Sequence, residues 1–519
     1  MNEVLELVID DLGMNGEGIA HSMGKTIFVP QALIGEKIEA KITTDKSSFA
    51  NAKLLEIKKK SKDRVQPPCP YFKVCGGCQL QHMKYSTQLN FKQNKVKQTI
   101  KKIADLDCVV KKCLPSTEFG YRNKIVFAVR RINNATKVGM FENNSHNIIE
   151  IPECLLQKPF AKKLLEIVRH YIEVSKVYAY DDIKKTGMLK YVVAREIDNE
   201  ILITLVATTY KLPMLECLTK ELSNQFKSFG LSININTENK DILGNQFKHI
   251  FGIHSIKNAS HEIHFNISPA SFVQINDDVS DSIYTNVLGK ISKNNILIDA
   301  YSGTGLLSAI LSQKANFVVG VEINKYASQN ADELVKLNNI KNIININGDC
   351  AKTIPELLNL LEKYKLNSAT QTEFTTTLFN KTSKIKNLTQ KSSNVILNKN
   401  AQTENANQEI KVEDIEKSLS KLLNKDGQKI SYFKNLLNST KDIKTTLILD
   451  PPRSGCDKKV LEAVNNEFVE QIIYISCNPA TLARDLKELS QNYAIKTVQP
   501  FDMFPQTSHI ETVVELKRK

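Results

Sequence analysis

The chain has 519 residues, 41% of them apolar, which is more than one core accommodates and points to roughly two to four domains. Its 70 Lys and Arg against 56 Asp and Glu leave a net charge of +14, a surplus suited to a polyanionic partner, RNA or DNA first, although a Lys/Asn-rich genome would also make its proteins basic. No run of about 18 apolar residues occurs to span a membrane, and Met1-Asn2-Glu3 opens with an acid rather than a secretory leader, so a cytoplasmic protein is expected.

Residues 1 to 60 read as a small all-β unit. Val4–Ile9, Lys25–Val29, Lys37–Ile42 and Ala50–Ile57 are short strand-like runs punctuated by Gly13, Gly16, Gly18, Gly24 and Gly35. This suggests an OB-like barrel, a shape that commonly binds single-stranded nucleic acid but also serves as plain scaffold. Gln66-Pro67-Pro68-Cys69-Pro70 forms a joint into a mixed α/β unit over 61–265.

From residue 266 to 519 the pattern becomes apolar strand, Gly-rich turn, helix. Asn295–Ala300, Phe317–Ile323, Ile343–Ile346, Thr445–Leu449 and Gln471–Ser476 read as successive strands of a Rossmann-like, parallel doubly wound sheet, whose ligands gather at the strands' carboxyl ends. Residues 367–440 interrupt it with Asn, Lys, Ser and Thr, a composition that predicts a largely disordered insertion. Within it, Val412, Ile415, Leu419, Leu422 and Leu423 recur at the spacing of one amphipathic helix.

Chemistry concentrates at the ends of these strands. Asp299-Ala300-Tyr301-Ser302-Gly303-Thr304-Gly305 closes the first, and Gly303 and Gly305 allow close approach of a ligand. Glu322 ends the second, where an acid binds ribose hydroxyls, and Asp349 follows the third, where an acid meets an adenine amino group. Ala309 stands where a dinucleotide fingerprint wants a third glycine, so S-adenosylmethionine fits better than NAD.

Leu449-Asp450-Pro451-Pro452-Arg453 alone also suits enzymes that methylate adenine amino groups. Ser476-Cys477-Asn478-Pro479, about one strand–helix unit later, narrows the choice. Carbon 5 of uracil is a poor nucleophile until a thiolate adds to carbon 6, and a base must later take the carbon 5 proton. Cys477 suits the first task; Glu511 suits the second, with His509 as its rival. An isolated cysteine is more often a small buried hydrophobe, but its place between the Pro-Pro turn and Glu511 argues for the nucleophile.

Ten cysteines without a leader read as thiols, ligands or a nucleophile rather than disulfides. Cys69, Cys75 and Cys78, with Cys154 far downstream, make four soft ligands that suit zinc or a [4Fe–4S] cluster alike. Cys108, Cys113, Cys217, Cys350 and Cys456 are expected in packing.

Together these residues resemble the RNA uracil-5-methyltransferase family, which makes 5-methyluridine. Tyr121-Arg122-Asn123-Lys124, Thr186-Gly187-Met188-Leu189 and Ser271-Phe272-Val273-Gln274-Ile275-Asn276 also look like its segments, and residues 1–60 look like its RNA-binding TRAM domain. The resemblance implies that Gln274, Tyr301, Leu306, Glu322, Asp349 and Asp450 line the S-adenosylmethionine site, with Cys477 the nucleophile and Glu511 the base. It tips the four cysteines towards [4Fe–4S]. Ser302 and Leu306 depart from the family's usual cysteine and polar residue, which makes contacts there backbone ones, and the insertion is longer than the family norm. A TRAM domain with four cysteines points to a 23S rRNA uridine, with tRNA as second reading and a non-catalytic RNA-binding or folding factor as third; the partner is RNA and the chain a monomer.

Overall fold

A computed structural model describes residues 3–22, 24–133, 135–238, 241–293, 295–363, 444–465 and 469–519, with a few positions between 417 and 436. Residues Val4 to Lys59 form a six-stranded sheet. Alternate side chains, among them Leu7, Ile27, Val29, Ile38, Ala50 and Ala52, fill its interior, as the two-residue period of a strand requires. The sequence reading missed Asp11–Leu12 and Gly18–Ser22, which carry too few apolar residues to signal.

A seven-stranded sheet between Lys124 and Gly252 makes the central unit. The helices Phe160–Ser175 and Leu215–Gln225 pack their apolar side chains into its core.

The last unit is another seven-stranded sheet. Its strands are numbered β1 (Asn295–Ala300), β2 (Phe317–Glu322), β3 (Ile343–Asn347), β4 (Lys444–Leu449), β5 (Gln471–Ser476), β6 (Tyr493–Phe501) and β7 (Glu511–Arg518). They lie in the order β3-β2-β1-β4-β5-β7-β6. β1 to β5 are parallel, while β7 runs antiparallel to both β5 and β6. The five parallel strands fall where the sequence places them; β6 and β7 add a reversed pair that the repeating pattern did not announce. β1 and β5 are buried along their whole length, which is why they read as unbroken apolar runs rather than alternating ones.

Two boundaries differ from the expected 61–265 and 266–519. The hairpin of Ile256–Ser260 and Ile263–Ile267 buries Ile256, Ile263, Phe265 and Ile267 in the core of the last unit, so that unit begins before Ile256. Helix α1 (Tyr85–Thr99), continued by a π-helical turn at Ile100–Ala104, places Val96, Ile100 and Ala104 in the same core as Leu482, Leu486 and Leu489. Val110 and Leu114 then bridge to Val498 and Phe501 of β6. Local sequence gives no sign of this return across the chain.

The predicted insertion, 367–440, and its amphipathic-helix residues lie almost wholly outside the described residues. Phe433 is a correction: it is fully buried and its ring lies 4.6 Å from that of Phe317 on β2, so it belongs to the core.

Candidate active site

Helix α2 (Leu306–Ser312) follows β1 through a turn in which Tyr301, Gly303 and Gly305 have φ of 65°, 57° and 78°. Gly303 is needed for this left-handed backbone, and a Cβ there would meet no protein atom within 4 Å, leaving its face open to a ligand. Gly305 has a different reason: a Cβ would stand 2.8 Å from the Cβ of Ala331 on helix α3 (Lys325–Leu337). Its bare backbone lets helix α3 pack close to the turn.

Beside this turn opens a cleft of about 850 Å³. Gln274, Tyr301, Gly303, Leu306, Asp450, Cys477 and Glu511 all line it. Residues separated by up to 237 positions therefore meet at the carboxyl ends of the parallel strands (511 − 274).

Register explains the innermost pair. Ser476, the last residue of β5, pairs with Thr512 of β7, so Cys477 lies next to Glu511 at the open end of this ladder. Asp450 follows β4, the other neighbour of β5. Asn478 caps helix α4 (Pro479–Leu489) by accepting from the Ala480 amide at 3.1 Å, and its Nδ2 donates to the Arg453 carbonyl at 3.1 Å. This ties the cysteine turn to the Pro-Pro turn.

Three carboxyls in or behind the site have pKa values raised well above the usual range. Burial pushes Glu511 up to about 8, Asp450 raising it further and Arg453 opposing. Burial also raises Asp450 to about 7, with Asp299 adding to the shift. Asp299 reaches about 7 through burial, against a bond from the Ser308 hydroxyl and with Glu322 pushing upward. The Cys477 thiol is raised by burial and then by Glu511, while Arg453 lowers it. Arg453 is therefore the counter-charge of the site, a role the Asp-Pro-Pro-Arg turn contained but the sequence reading left unassigned.

Three expected cofactor residues, Gly305, Glu322 and Asp349, stand outside the cleft lining. Glu322 accepts the Gly303 amide at 2.9 Å and the Asn324 amide at 2.6 Å, so it braces the glycine turn. Asp349 accepts the Ala351 amide at 3.0 Å, capping the helical residues 350–363. Asn347, one turn before it, donates to the Glu322 carbonyl at 2.9 Å, which keeps the ends of β2 and β3 together.

The central unit grips both loops that reach over the cleft. Arg195 donates to the Val273 carbonyl at 3.2 Å, and Asn123 donates to the Gln274 carbonyl at 3.0 Å and to Asp277 at 2.7 Å. The loop before Glu511 is held by Tyr121, whose hydroxyl donates to the Pro505 carbonyl at 3.0 Å, and by Lys95, which reaches the Ser508 carbonyl at 2.8 Å. The Gln79 and Leu80 amides both donate to the Gln506 carbonyl at 3.0 Å. Gln506 itself has a φ of 68°, strained for a non-glycine residue, and Gln88 holds its side chain at 2.9 Å. None of these partners was legible from spacing.

Cys69, Cys75, Cys78 and Cys154 are the expected metal ligands. All are free thiols and none is fully exposed. Charge on Cys75 acts on Cys78 and Cys154, that on Cys69 acts on Cys75 and Cys154, and Arg122 opposes the rise at Cys75, Cys78 and Cys154. Burial is the main cause and pushes Cys78 up to about 12. Among the described residues, no group of three or more His, Cys, Asp or Glu stands close enough to hold a single metal ion. Of the five cysteines expected in packing, Cys113, Cys350 and Cys456 are buried, while Cys108 and Cys217 are only half-buried.

The comparisons with known proteins agree with this geometry. The family model described as tRNA (Uracil-5-)-methyltransferase matches residues 84–352 and 359–519, and the TRAM domain model matches residues 2–55. A protein of Clostridium acetobutylicum described as an uncharacterized RNA methyltransferase is 32% identical, over 100% of this chain and 97% of its own length. One of Listeria innocua with the same description is 30% identical, over 100% and 98%. Among solved structures, the Pyrococcus abyssi tRNA (uracil-54, C5)-methyltransferase in complex with S-adenosyl-L-homocysteine superposes with a TM-score of 0.67 at 24% identity, covering 98% of this chain and 99% of that one. The carboxyl-end cleft, its cysteine–carboxyl pair and the near-complete coverage lead to one conclusion: the chain belongs to the RNA (uracil-5-)-methyltransferase family.

Proposed function

We propose that this protein methylates carbon 5 of a uridine in RNA, using S-adenosylmethionine, and the observation that carries the reading is the placement of Cys477 beside Glu511 in one cleft with Asp450 and Arg453. S-adenosylmethionine, when bound, supplies an electrophilic methyl group on a cationic sulfonium. The residues fit it: an open glycine turn at Gly303 for close approach, Glu322 on the turn's flank, and a deep carboxyl at Asp450 to face a positive charge.

The chain's own groups account for the remainder. The Cys477 thiol gives its proton to solvent water and the thiolate adds to carbon 6 of the uracil, forming a sulfur–carbon bond; the displaced carbon 5–carbon 6 electron pair takes the methyl group at carbon 5, leaving S-adenosylhomocysteine. Glu511, as carboxylate, then removes the carbon 5 proton; the electrons return and expel the thiolate. A base inside a stack has neither face free, so the uridine must be turned out of its neighbours into the cleft. Both working groups rest in their protonated forms, and Arg453 is the cation that favours their ionisation.

A 23S rRNA uridine is the first choice of substrate, because a TRAM unit accompanies four cysteines. A tRNA uridine is the second reading, favoured by one observation: the Pyrococcus abyssi tRNA (uracil-54, C5)-methyltransferase shares the fold over 98% of this chain. We propose that Cys69, Cys75, Cys78 and Cys154 hold a [4Fe–4S] cluster, since four free thiols from two distant segments match its ligand set in kind and number. Arg122 would offset its charge.

Methyl transfer to rRNA and tRNA from a strain lacking the gene, followed by mapping of 5-methyluridine, tests the reading. Incorporation at a single rRNA uridine is expected. Incorporation only into tRNA selects the second reading, and none into either leaves a non-catalytic RNA-binding factor.

A further inference from the structure

A second cleft, of about 630 Å³, lies between the N-terminal β unit and the cysteine loop. It shares one wall with the first: His509 lines both. The outer face of the β unit supplies the other side. Phe28 and Asn51 are partners across two parallel strands, and Phe49, two residues before Asn51, shares its face. Their neighbours Ile27, Val29, Ala50 and Ala52 point into the core, which leaves Phe28, Phe49 and Asn51 directed outward. The two phenylalanine rings stand edge to face, 6.1 Å apart, and Phe49 is 38% exposed.

Around these rings the cleft presents the side-chain amides of Gln31, Asn51 and Asn144 and one lysine, Lys73, with Glu17, Cys75 and Cys78 also in its lining. Among the described residues these amides have no protein partner. An apolar protein segment would leave such groups unpaired, at a cost in desolvation. A nucleobase suits them: its faces stack on aromatic rings and its edges carry donors and acceptors that amides match. Arg453, Lys95, Lys92 and Arg122 stand near enough to His509 to oppose its protonation after burial does, so cations lie around the ridge that a phosphate linking two nucleotides would cross.

We propose that the second cleft is a nucleobase subsite that takes an unstacked base flanking the target uridine, stacked on Phe49 and Phe28 and read at its edge by Asn51. The proposal rests on the RNA-methylation reading and adds a second point of sequence discrimination to it. His509, in contact with Phe504 at 5.9 Å between ring centres, then separates the two extruded bases.

The test uses the full chain with Phe49→Leu, Phe49→Tyr and Asn51→Ala. Fluorescein-labelled twelve-residue oligouridylate reports binding by anisotropy, and RNA from the deletion strain reports kcat and KM. Phe49→Leu keeps an apolar side chain but loses the ring, so binding should weaken about ten-fold, in line with the worth of one base–aromatic stack. Phe49→Tyr should bind like the wild type. For Phe49→Leu, affinity for S-adenosylhomocysteine and the slope of log Kd against log salt should both stay unchanged, because no cofactor or phosphate contact is lost.

Equal binding by Phe49→Leu and wild type would overturn the subsite. So would failure of Phe49→Tyr to restore binding, or a shallower salt slope. Because anisotropy needs no turnover, wild-type binding of the oligonucleotide with no methylation of any RNA would overturn the reaction and leave the subsite standing.

Discussion

Lys92 on α1 and Asp502 at the end of β6 form an ion pair in which neither side chain has any exposed surface. Burial draws Lys92 down and Asp502 up, towards their neutral forms, and their mutual attraction opposes both shifts. Lys92 also donates to the Phe504 carbonyl at 3.0 Å, so the pair fixes the start of the loop that leads to Glu511. Lys92→Met should destabilise the protein by about 3–5 kcal/mol, since it leaves a buried carboxyl without its partner. Lys92→Met with Asp502→Leu should recover most of the loss. Chemical denaturation of the three proteins checks this, and an equally unstable double variant would show that packing, not charge, is responsible.

The neighbouring of Cys477 and Glu511 predicts opposite phenotypes from two variants. Glu511→Gln should add to the ring and methylate it but release RNA slowly, so a Cys477–RNA adduct accumulates on a denaturing gel. Cys477→Ala should form no adduct while still binding RNA. Wild type should be trapped by RNA carrying fluorine at carbon 5, which has no removable proton. Fast turnover by Glu511→Gln would move the base role to His509.

Stability should fall as pH rises. Glu511 titrates at about 8 in the folded chain against an ordinary 4.5, so the folded state binds more protons than the unfolded one across that window. Its contribution is complete below pH 4.5 and is lost as pH climbs through about 8. The melting temperature of Glu511→Gln should decline less steeply between pH 5 and 8, roughly the interval between the two pKa values, than that of the wild type. Parallel curves would show that Glu511 ionises normally.

Glu322→Ala should weaken S-adenosylhomocysteine binding by about 1.5–3 kcal/mol on titration calorimetry, through loss of charge-assisted hydrogen bonds. Because Glu322 accepts the Gly303 amide, part of this loss comes from a looser turn. Glu322→Gln, which keeps an acceptor for that amide, should recover part of the affinity. RNA affinity should change little.

Cys75→Ser should lose iron and the brown colour of anaerobically purified protein. Gln79, one residue past Cys78, is bonded to the Gln506 carbonyl, so hydrogen exchange in residues 504–511 should speed up in the same variant. Zinc without iron in the wild type would refute the cluster, and unchanged exchange would uncouple the cysteine loop from the Glu511 loop.

The sequence by itself determined the elements whose signals are local. Buried parallel strands such as Asn295–Ala300 and Gln471–Ser476 are continuous apolar runs, and Cys477, Asp450 and Gly303 follow strand ends where such sheets collect ligands. Their meeting in one cleft was legible for the same reason.

Only the tertiary structure decided what depends on pairing between distant segments. The reversal of β7 brings Glu511 to Cys477, a matter of register that spacing does not encode. The position of Glu322 and Asp349 at strand ends is legible, but that their carboxylates also brace the Gly303 turn and cap a helix appears only in the folded chain. The return of α1 to the last sheet, the Lys92–Asp502 pair and the burial of Phe433 against Phe317 join residues far apart in the chain. Such contacts leave no periodicity, because each is one residue meeting one other, and their energy comes from desolvation and shape that exist only once the chain has folded.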